Sequence, residues 1–427
     1  MAPLLLLFGL AILVLLDFPI AVALGGMAVL AMLVSSGPAA LPNVGLLLFD
    51  GATKFPLIAI PLFILAGAIM NASGISQRLI DLALALVGFV RGALAMVTIV
   101  ASLFFAEMSG SAVADVAALG SILIPAMRRA GYPAPFAAAV TSSAATLAVI
   151  IPPSIPMILY AAMSNSSVVE LFIAGIVPGI LGGGLLLALT SLAARRYRFP
   201  VAQAFQVAVL WRALKGSGWA LTLPLIILGG IFSGWVTATE GAALAVVAAT
   251  VIGAGIYRQL DWTGLRKATV QGAIQTAVVM FLVAASALVG DYLAESQVPQ
   301  TLAHSIAGFT RNPYLILAFL NLFLLIIGLF LHSAAAIILV IPIVMPLVHS
   351  VGIDPVHFGL VVTLNLGIGQ QTPPVASVLV TACSVAKADI WEVSKANLRF
   401  VGALLVVLLL VTYVPVIPML LVDWLYR

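Results

Sequence analysis

Two segments of the sequence place hydroxyl or amide side chains just before a pair of prolines. The first is TSSAATLAVIIPPS, residues 141–154, and the second is NLGIGQQTPPVAS, residues 365–377. A proline lacks the backbone N–H, so the carbonyl one helical turn earlier loses its usual donor. Small hard cations prefer carbonyl and hydroxyl oxygens as ligands, and the N-terminus of a helix attracts anions. The two segments therefore predict a place where a cation and an anion bind.

A short polar tip precedes each of these segments, MSGSA at 108–112 and LHSAA at 331–335. After the first tip, 16 apolar-rich residues run to Met127, and as a helix they would extend about 24 Å. The hydrocarbon core of a bilayer is about 30 Å thick, so this stretch is too short to cross it. The pattern predicts a re-entrant helical hairpin, followed by a helix that the proline pair breaks.

The composition of the whole chain indicates that these segments lie in a membrane protein. Of its 427 residues 63% are hydrophobic and only 7% are charged, whereas soluble domains have about 25% charged residues. Long apolar blocks without strand-like alternation predict a polytopic all-α membrane protein and exclude a β-barrel. The net charge of +4 comes from basic residues in loops, so it indicates membrane topology and not nucleic-acid binding. The four histidines have no metal-ligand spacing, and we expect no cofactor and no transition metal.

The chain repeats itself with a shift of 221 residues. Pro125 aligns with Pro346, Gly131 with Gly352, and the pair at 152–153 with the pair at 373–374, without a gap. The sequence therefore predicts one integral membrane unit that contains two repeats, with the remaining helices as a scaffold. The predicted ranges are 56–215 for the first repeat (hairpin 108–135, broken helix 136–163) and 271–400 for the second (hairpin 331–355, broken helix 356–386).

The charges of the two equivalent turns predict that the repeats have opposite orientation. The first turn contains Arg128 and Arg129, whereas the second, at 349–358, contains no lysine or arginine. Basic turns stay in the cytoplasm, so the first turn is expected inside and the second outside. Inverted repeats with discontinuous helices are typical of secondary transporters. Three more basic segments are predicted to be cytoplasmic: Arg195 to Lys215, Arg258 to Lys267, and Lys387 to Arg399.

The quoted motifs, together with SGSAVADVAALGSILIPAM and AGIVPG, resemble the large membrane (permease) subunit of tripartite ATP-independent periplasmic (TRAP) transporters, the DctM-like family. The resemblance covers essentially the whole chain. It implies an elevator-type secondary transporter of the ion-transporter superfamily in the bacterial inner membrane. Such a subunit takes up an organic acid, such as a C4-dicarboxylate, sialic acid or a related sugar acid, with sodium. Its partners are a small four-helix membrane subunit and a periplasmic substrate-binding protein.

The resemblance also implies which residues bind the ions and the substrate. The first sodium site would lie between the first tip and break, and the second between the second tip and break. The expected sodium ligands are Ser109, Gly110, Ser111, Thr146, Val149 and Pro152 in the first site, and His332, Ser333, Asn365, Gly367, Gln370 and Pro373 in the second. The substrate is expected at Ser111, Pro153, Ser154, Ser333, Thr372 and Pro374. Relatives often carry an acid at the position of His332, and some carry one at that of Gly367.

Several further interpretations depend on the residues alone. Glu240 in TATEGAAL is predicted to be an acid in the first turn of a helix, and YRQLDWTGLRK, residues 257–267, an amphipathic surface segment. A proton-coupled or facilitative anion permease of similar fold is the alternative within transport. An intramembrane enzyme is disfavoured because the sequence has no HExxH or GxSxG motif. An ion channel is disfavoured because the inverted repeat favours alternating access.

Overall fold

The computed structural model describes residues 9–426, with the exception of residues 11, 14, 15, 17, 110, 203 and 374. All regular elements in this part of the chain are helices. Nine of its helical segments are long and apolar enough to cross a membrane: Ile20–Ala52, Phe55–Ala72, Val168–Arg196, Val207–Phe232, Ala238–Ile256, Trp262–Glu295, Pro313–Phe330, Ser333–Ser350 and Ile390–Tyr413. Many of their large apolar side chains are exposed, as expected where lipid replaces water.

We number the helices from Ile20 onwards. The first half contains α1 Ile20–Ser36, α2 Leu41–Ala52, α3 Ala59–Ala72, α4 Ile75–Val87, α5 Ala93–Ser109, α6 Ala112–Arg129, α7 Ala134–Thr146, α8 Ile155–Ser164 and α9 Val168–Arg196. The second half contains α10 Val207–Phe232, α11 Ala238–Thr250, α12 Trp262–Glu295, α13 Val298–Phe309, α14 Pro313–Phe330, α15 Ser333–Ser350, α16 Pro355–Gly369, α17 Ser377–Ala386, α18 Ile390–Tyr413 and α19 Val416–Tyr426.

The helix boundaries follow the same 221-residue register as the prolines and glycines. Moved by 221 residues, the first residues of α5 to α9 fall on positions 314, 333, 355, 376 and 389. Helices α14 to α18 begin at 313, 333, 355, 377 and 390, so each start agrees to within one residue. The five helices of one half therefore have five counterparts of similar length in the other half.

The paired helices interlock around the centre of the molecule. Helix α6 of the first half packs against α17 of the second half, and their counterparts α15 and α8 pack against each other in the same way. At one end of this body, the Arg128 Nη1 donates a hydrogen bond of 3.1 Å to the carbonyl of Ala386 at the end of α17. At the end of α8, the Tyr160 hydroxyl donates a 2.6 Å hydrogen bond to the carbonyl of Pro355 at the start of α16.

A second group of helices forms a frame beside this central body. The long helix α12 packs against α1, α2 and α3, while α11 packs against α3 and α10. A separate apolar cluster joins α1 and α12, with partly buried side chains of α15 packed against it. The frame includes the first turn that was predicted from TATEGAAL. There Glu240 and Thr237 form a reciprocal capping box at the start of α11, so this prediction is confirmed.

In the central body, α7 and α16 both end just before a proline pair. Helix α7 ends at Thr146 and tightens into a 3₁₀ turn over Leu147–Val149, and α8 begins only at Ile155. Pro152 and Pro153 cannot donate to the carbonyls of Ala148 and Val149, so the α-helical ladder cannot continue through them. In the second half α16 ends at Gly369 and α17 begins at Ser377. The predicted breaks therefore lie where helical hydrogen bonding fails.

Candidate functional site

A cavity of about 960 Å³ lies between the frame and the central body, and both predicted tips border it. Ser111, the N-cap residue of α6, and His332, the N-cap residue of α15, belong to its wall. Ile155 at the start of α8 is also part of the wall. No lysine, arginine, aspartate or glutamate occurs among its described lining residues. Five further polar residues belong to its lining: Asn71, Ser76, Gln77, Gln271 and Gln275.

Two helix N-termini meet at this cavity. Neither the Ser111 nor the His332 side chain forms a capping hydrogen bond with its own helix. Their carbonyls already accept the first helical bonds, from Asp115 N at 3.0 Å and from Ala336 N at 3.0 Å. The first N–H groups of a helix carry about half a positive charge. The N–H groups of two such ends are therefore directed towards one cavity without a lysine or arginine among its described lining residues, and the buried Asp115 in the first turn of α6 offsets part of the positive charge of that helix end.

In the first break, local hydrogen bonds occupy most of the predicted hydroxyl groups. Thr146 Oγ1 donates to the carbonyl of Ser142 at 3.1 Å, and Ser154 Oγ donates to the carbonyl of Val149 at 2.6 Å. Ser154 also caps α8 by accepting from Met157 N at 3.4 Å. These bonds fix the backbone of the break, and each hydroxyl oxygen retains acceptor capacity. Pro152 and Pro153 lie buried within the same break.

The second tip and the second break are joined directly. Gln370 Nε2 donates to Ser333 Oγ at 2.8 Å, and both side chains are buried. Thr372 Oγ1 instead donates to the carbonyl of Ile368 at 3.0 Å, within its own segment. The structure thus brings together two residues predicted for one ion site, although their positions in the chain differ by 37.

The two broken helices touch at equivalent positions. A Cβ atom added to Gly367 would lie 3.0 Å from Thr146 Cγ2 and 3.6 Å from Val149 Cγ2. Thr146 and Gly367 are related by the 221-residue shift, and equivalent residues meet where a two-fold axis passes between repeats. Gly367 is therefore a packing position, at which the absence of a side chain permits close approach of α16 to α7.

Three of the predicted site residues lie at or beyond the edge of what is described. Gly110 and Pro374 are outside the described residues, and so is the side chain of Ser109. Ser109 is the last residue of α5. The first tip therefore lies between the end of α5 and the start of α6, and the predicted hairpin range 108–135 contains α6 and the turn after it.

Comparison with known proteins agrees with this architecture. The family model described as "Tripartite ATP-independent periplasmic transporter, DctM component" matches residues 7–417. The chain belongs to this family. It is therefore a large permease component of a TRAP transporter, a multi-pass protein of the inner membrane and not an enzyme.

Two TRAP permeases illustrate how similar the chain is to its relatives. It is 41% identical over 425 residues to the isethionate TRAP transporter permease protein DctMQ of Oleidesulfovibrio alaskensis, covering 98% of this chain and 66% of that protein. It is 38% identical over 388 residues to the C4-dicarboxylate TRAP transporter large permease protein DctM of Pseudomonas aeruginosa, covering 91% of each.

The fold of this TRAP permease is also similar to that of a solved transporter. The YdaH transporter of Alcanivorax borkumensis superposes with a TM-score of 0.64 and 17% identity, covering 99% of this chain and 98% of that one. At this identity the likeness concerns the fold alone.

The structure of the TRAP permease contains a buried polar network that the sequence did not predict. Ser143 Oγ lies 2.8 Å from Gln371 Oε1 and 2.7 Å from Asn397 Oδ1, while Asn397 Nδ2 donates to Gln371 Oε1 at 3.1 Å. All three side chains are buried, and they connect α7, the second break and α18. The two adjacent glutamines of the GQQTPP motif were the feature of the sequence that could have indicated this network, because paired amides are unusual in an apolar helix.

A second network surrounds one of the predicted ligands. Asn365 Nδ2 donates to the carbonyl of Val361 at 2.8 Å and to Asn321 Oδ1, and Asn321 Nδ2 donates to Thr412 Oγ1 at 3.1 Å. Asn365 Oδ1 is buried and meets no donor among the described residues. A buried acceptor of this kind is costly unless a donor or a cation compensates it.

Proposed function

We propose that this TRAP permease carries an organic acid into the cell together with sodium, by moving its central body relative to the frame. The cavity that both tips share is the observation that carries the proposal. It lies beside the N-termini of α6 and α15 and reaches Ile155, the first residue after the first break, and discontinuous helices provide such sites in secondary transporters. Relatives named for isethionate and for C4-dicarboxylates support an anionic substrate.

The anion is expected at the two helix N-termini. The cavity wall offers no lysine or arginine among the described residues, so helix N–H groups, hydroxyls and His332 are the groups that can donate hydrogen bonds to an anion. Ser111 belongs to this wall, and the buried Ser333 begins the opposing helix. The amides of the frame can donate further hydrogen bonds without adding charge. The substrate would then lie between elements of the central body and the frame.

Sodium would be held by oxygens at the two breaks. The buried Asn365 Oδ1, which lacks a described donor, fits a cation ligand. The proline pair leaves the carbonyl of Ala148 without a helical donor, and the Thr146 hydroxyl keeps acceptor capacity. Oxygens without formal charge suit a monovalent hard cation better than a transition metal.

Contacts between the repeats support an inverted arrangement. The turn after α6 lies beside the end of α17, as the Arg128–Ala386 bond requires. The turn before α16 lies beside the end of α8, as the Tyr160–Pro355 bond requires. Because α7 and α8 together lead from the first turn to the second, the two turns stand at opposite ends of the broken helix. If that helix crosses the bilayer, the turns face opposite compartments.

Two partners complete the proposed system: a small four-helix membrane subunit and a periplasmic substrate-binding protein. The family description names a tripartite periplasmic transporter, and this chain supplies its DctM component. The chain alone is expected to fold but not to accumulate substrate. Adding both partners to proteoliposomes should restore uptake. Accumulation by the purified chain alone would contradict the need for partners.

Uptake in proteoliposomes that contain all three components tests the proposal. Isethionate and a C4-dicarboxylate serve as probes. An inward sodium gradient should drive accumulation that rises sigmoidally with sodium, and Ser111→Ala or Thr146→Ala should raise the sodium concentration needed. Ser121→Ala on α6 and Thr269→Ala on α12 are matched controls, because both hydroxyls are exposed, bond within their own helices, and belong neither to the cavity wall nor to a break. Full uptake driven by a proton gradient without sodium would favour the proton-coupled alternative and contradict the proposal.

A further inference from the structure

A groove of about 580 Å³ lies at the surface of the central body, and neither tip contributes a residue to its lining. The end of α9, the first turns of α18 and the start of α7 form its walls. Three basic side chains line it, Arg196, Lys395 and Arg399. No acidic residue occurs among its described lining residues. We call this feature the basic groove.

The three basic side chains of the groove have no ion-pair partner within the part of the chain that the structure describes. Arg196, Lys395 and Arg399 are all exposed. None of them forms an ion pair or a hydrogen bond with a described residue. Three like charges around one groove repel each other, so an anion that binds among them relieves this repulsion as well as forming new attractions. The groove is therefore complementary to a negatively charged group.

The remaining walls of the basic groove are apolar and aromatic. Phe199 is at the centre of an aromatic cluster, with its ring 5.0 Å from Phe136 and 5.6 Å from Tyr197, and Phe400 lies 5.9 Å from Phe136. Leu192 lies one helical turn before Arg196 and is 63% exposed. A soluble anion would gain nothing from these walls, whereas a molecule with a charged head and hydrocarbon chains contacts both parts.

The charge distribution of the sequence predicts that the basic groove lies at the inner surface of the membrane. Arg196 and Lys395 belong to two segments that the charge distribution independently assigns to the cytoplasm, and the structure places these segments side by side. Aromatic side chains are enriched at the same level, where the bilayer meets water. Anionic lipids are concentrated in the cytoplasmic leaflet, and basic pockets between membrane helices on that side bind their head groups.

We propose that the basic groove binds an anionic phospholipid of the cytoplasmic leaflet. The phosphate lies among Arg196, Lys395 and Arg399, and an acyl chain follows the apolar side of α9 past Leu192. This site is separate from the cavity between the tips, and its residues belong to the central body. The bound lipid therefore travels with the part of the protein that moves during transport.

Lipid binding to the purified chain, measured by native mass spectrometry in detergent, tests the proposal. The probes are phosphatidylglycerol, phosphatidylethanolamine with the same acyl chains, and sn-glycerol 1-phosphate, which has the phosphate without the chains. Phosphatidylglycerol should bind most tightly. The triple variant R196Q/K395Q/R399Q should bind it about 100-fold more weakly, since each basic residue near the surface contributes about fivefold.

The triple variant R195Q/R212Q/K215Q is the matched control, because it removes the same charge from the predicted cytoplasmic surface outside the basic groove. It should retain wild-type affinity for phosphatidylglycerol. Equal weakening in both triple variants, or equal binding of the two phospholipids by the wild type, would overturn the proposal. Binding of the glycerol phosphate as tightly as phosphatidylglycerol would overturn it in favour of a site for a soluble anion. Thermal unfolding of each variant shows whether it is folded.

Discussion

A close approach of two helix backbones in the central body, α14 and α16, predicts the effect of a single methyl group. A Cβ atom added to Gly369, at the end of α16, would lie 2.6 Å from both Cα and C of Gly328 on α14. Favourable contacts between carbon atoms begin near 3.5 Å, so Gly369→Ala must separate the two backbones by about 1 Å. The obstacle is backbone, and no side-chain rotation can relieve it.

The cost of this separation follows from known overpacking effects. Extra methyl groups in a packed core lower the stability of a protein by about 1–3 kcal/mol and occasionally more. Replacing glycine by alanine within a helix raises stability by about 1 kcal/mol through the higher helix propensity of alanine. Because the clash involves two backbones, we expect a net destabilisation of about 2 kcal/mol. The same shift displaces the second break, and misplacing a functional group by 1 Å can reduce a rate about 100-fold. Uptake should therefore fall more than stability alone explains.

Three alanine variants form a graded test. Gly328→Ala should be milder than Gly369→Ala, because its Cβ would lie 3.1 Å from Gly369 Cα and 3.4 Å from Leu366 Cα. Gly402→Ala on α18 is the control, since nothing lies within 4 Å of its added Cβ. Thermal unfolding in detergent and initial uptake rates in proteoliposomes should both rank Gly402→Ala highest and Gly369→Ala lowest. If Gly369→Ala matches Gly402→Ala in both assays, the close contact of α14 and α16 is wrong.

The remaining predictions concern single contacts. Ser333→Ala or Gln370→Leu should each destabilise the protein by about 1 kcal/mol in equilibrium unfolding, because each removes the hydrogen bond between these two buried side chains, while Gln370 Nε2 in the Ser333→Ala variant keeps its 3.3 Å bond to the carbonyl of Leu366. The double variant should cost less than their sum, and strict additivity would contradict the bond. Tyr160→Phe should cost about 1 kcal/mol by the same measurement, as the bond to the start of α16 is lost; an unchanged stability would count against that contact. Gly367→Ala should raise the sodium concentration for half-maximal uptake several-fold, because the added methyl group would displace Thr146. An unchanged sodium dependence would show that the contact between Gly367 and Thr146 does not affect ion binding.

The breaks and helix starts could be predicted from the sequence because their causes are local. Pro152 and Pro153 remove two donors wherever they stand, so helix α7 has to end before them. The polar tip residues before α6 and α15 mark the helix starts at Ala112 and Ser333 in the same way. The 221-residue register came from prolines and glycines, and these residues also set the helix boundaries.

Other features depend on contacts between distant parts of the chain, and local patterns do not contain them. Ser143 meets Gln371 and Asn397 across separations of 228 and 254 residues, so no spacing rule connects them. The segment 257–267 was predicted to lie on the surface, and most of its residues are exposed, but the pattern did not show that its second part begins the membrane helix α12 at Trp262. Asp261 caps this helix by accepting a hydrogen bond from Gly264 N at 2.7 Å. The amphipathic pattern of residues 257–267 gave no sign that a helix of 34 residues begins within it.

Cysteine accessibility at two equivalent turns tests the central claim, the inverted arrangement of the repeats, most directly. Ala130 and Val351 are related by the 221-residue shift and follow α6 and α15. Cys383 is the only cysteine of the sequence, so Cys383→Ser gives a background without thiols. In intact cells an impermeant maleimide should label Val351→Cys, and it should label Ala130→Cys only after the membrane is opened. Labelling of both positions from outside, or of neither, would contradict the inverted repeat and the shared cavity built on it.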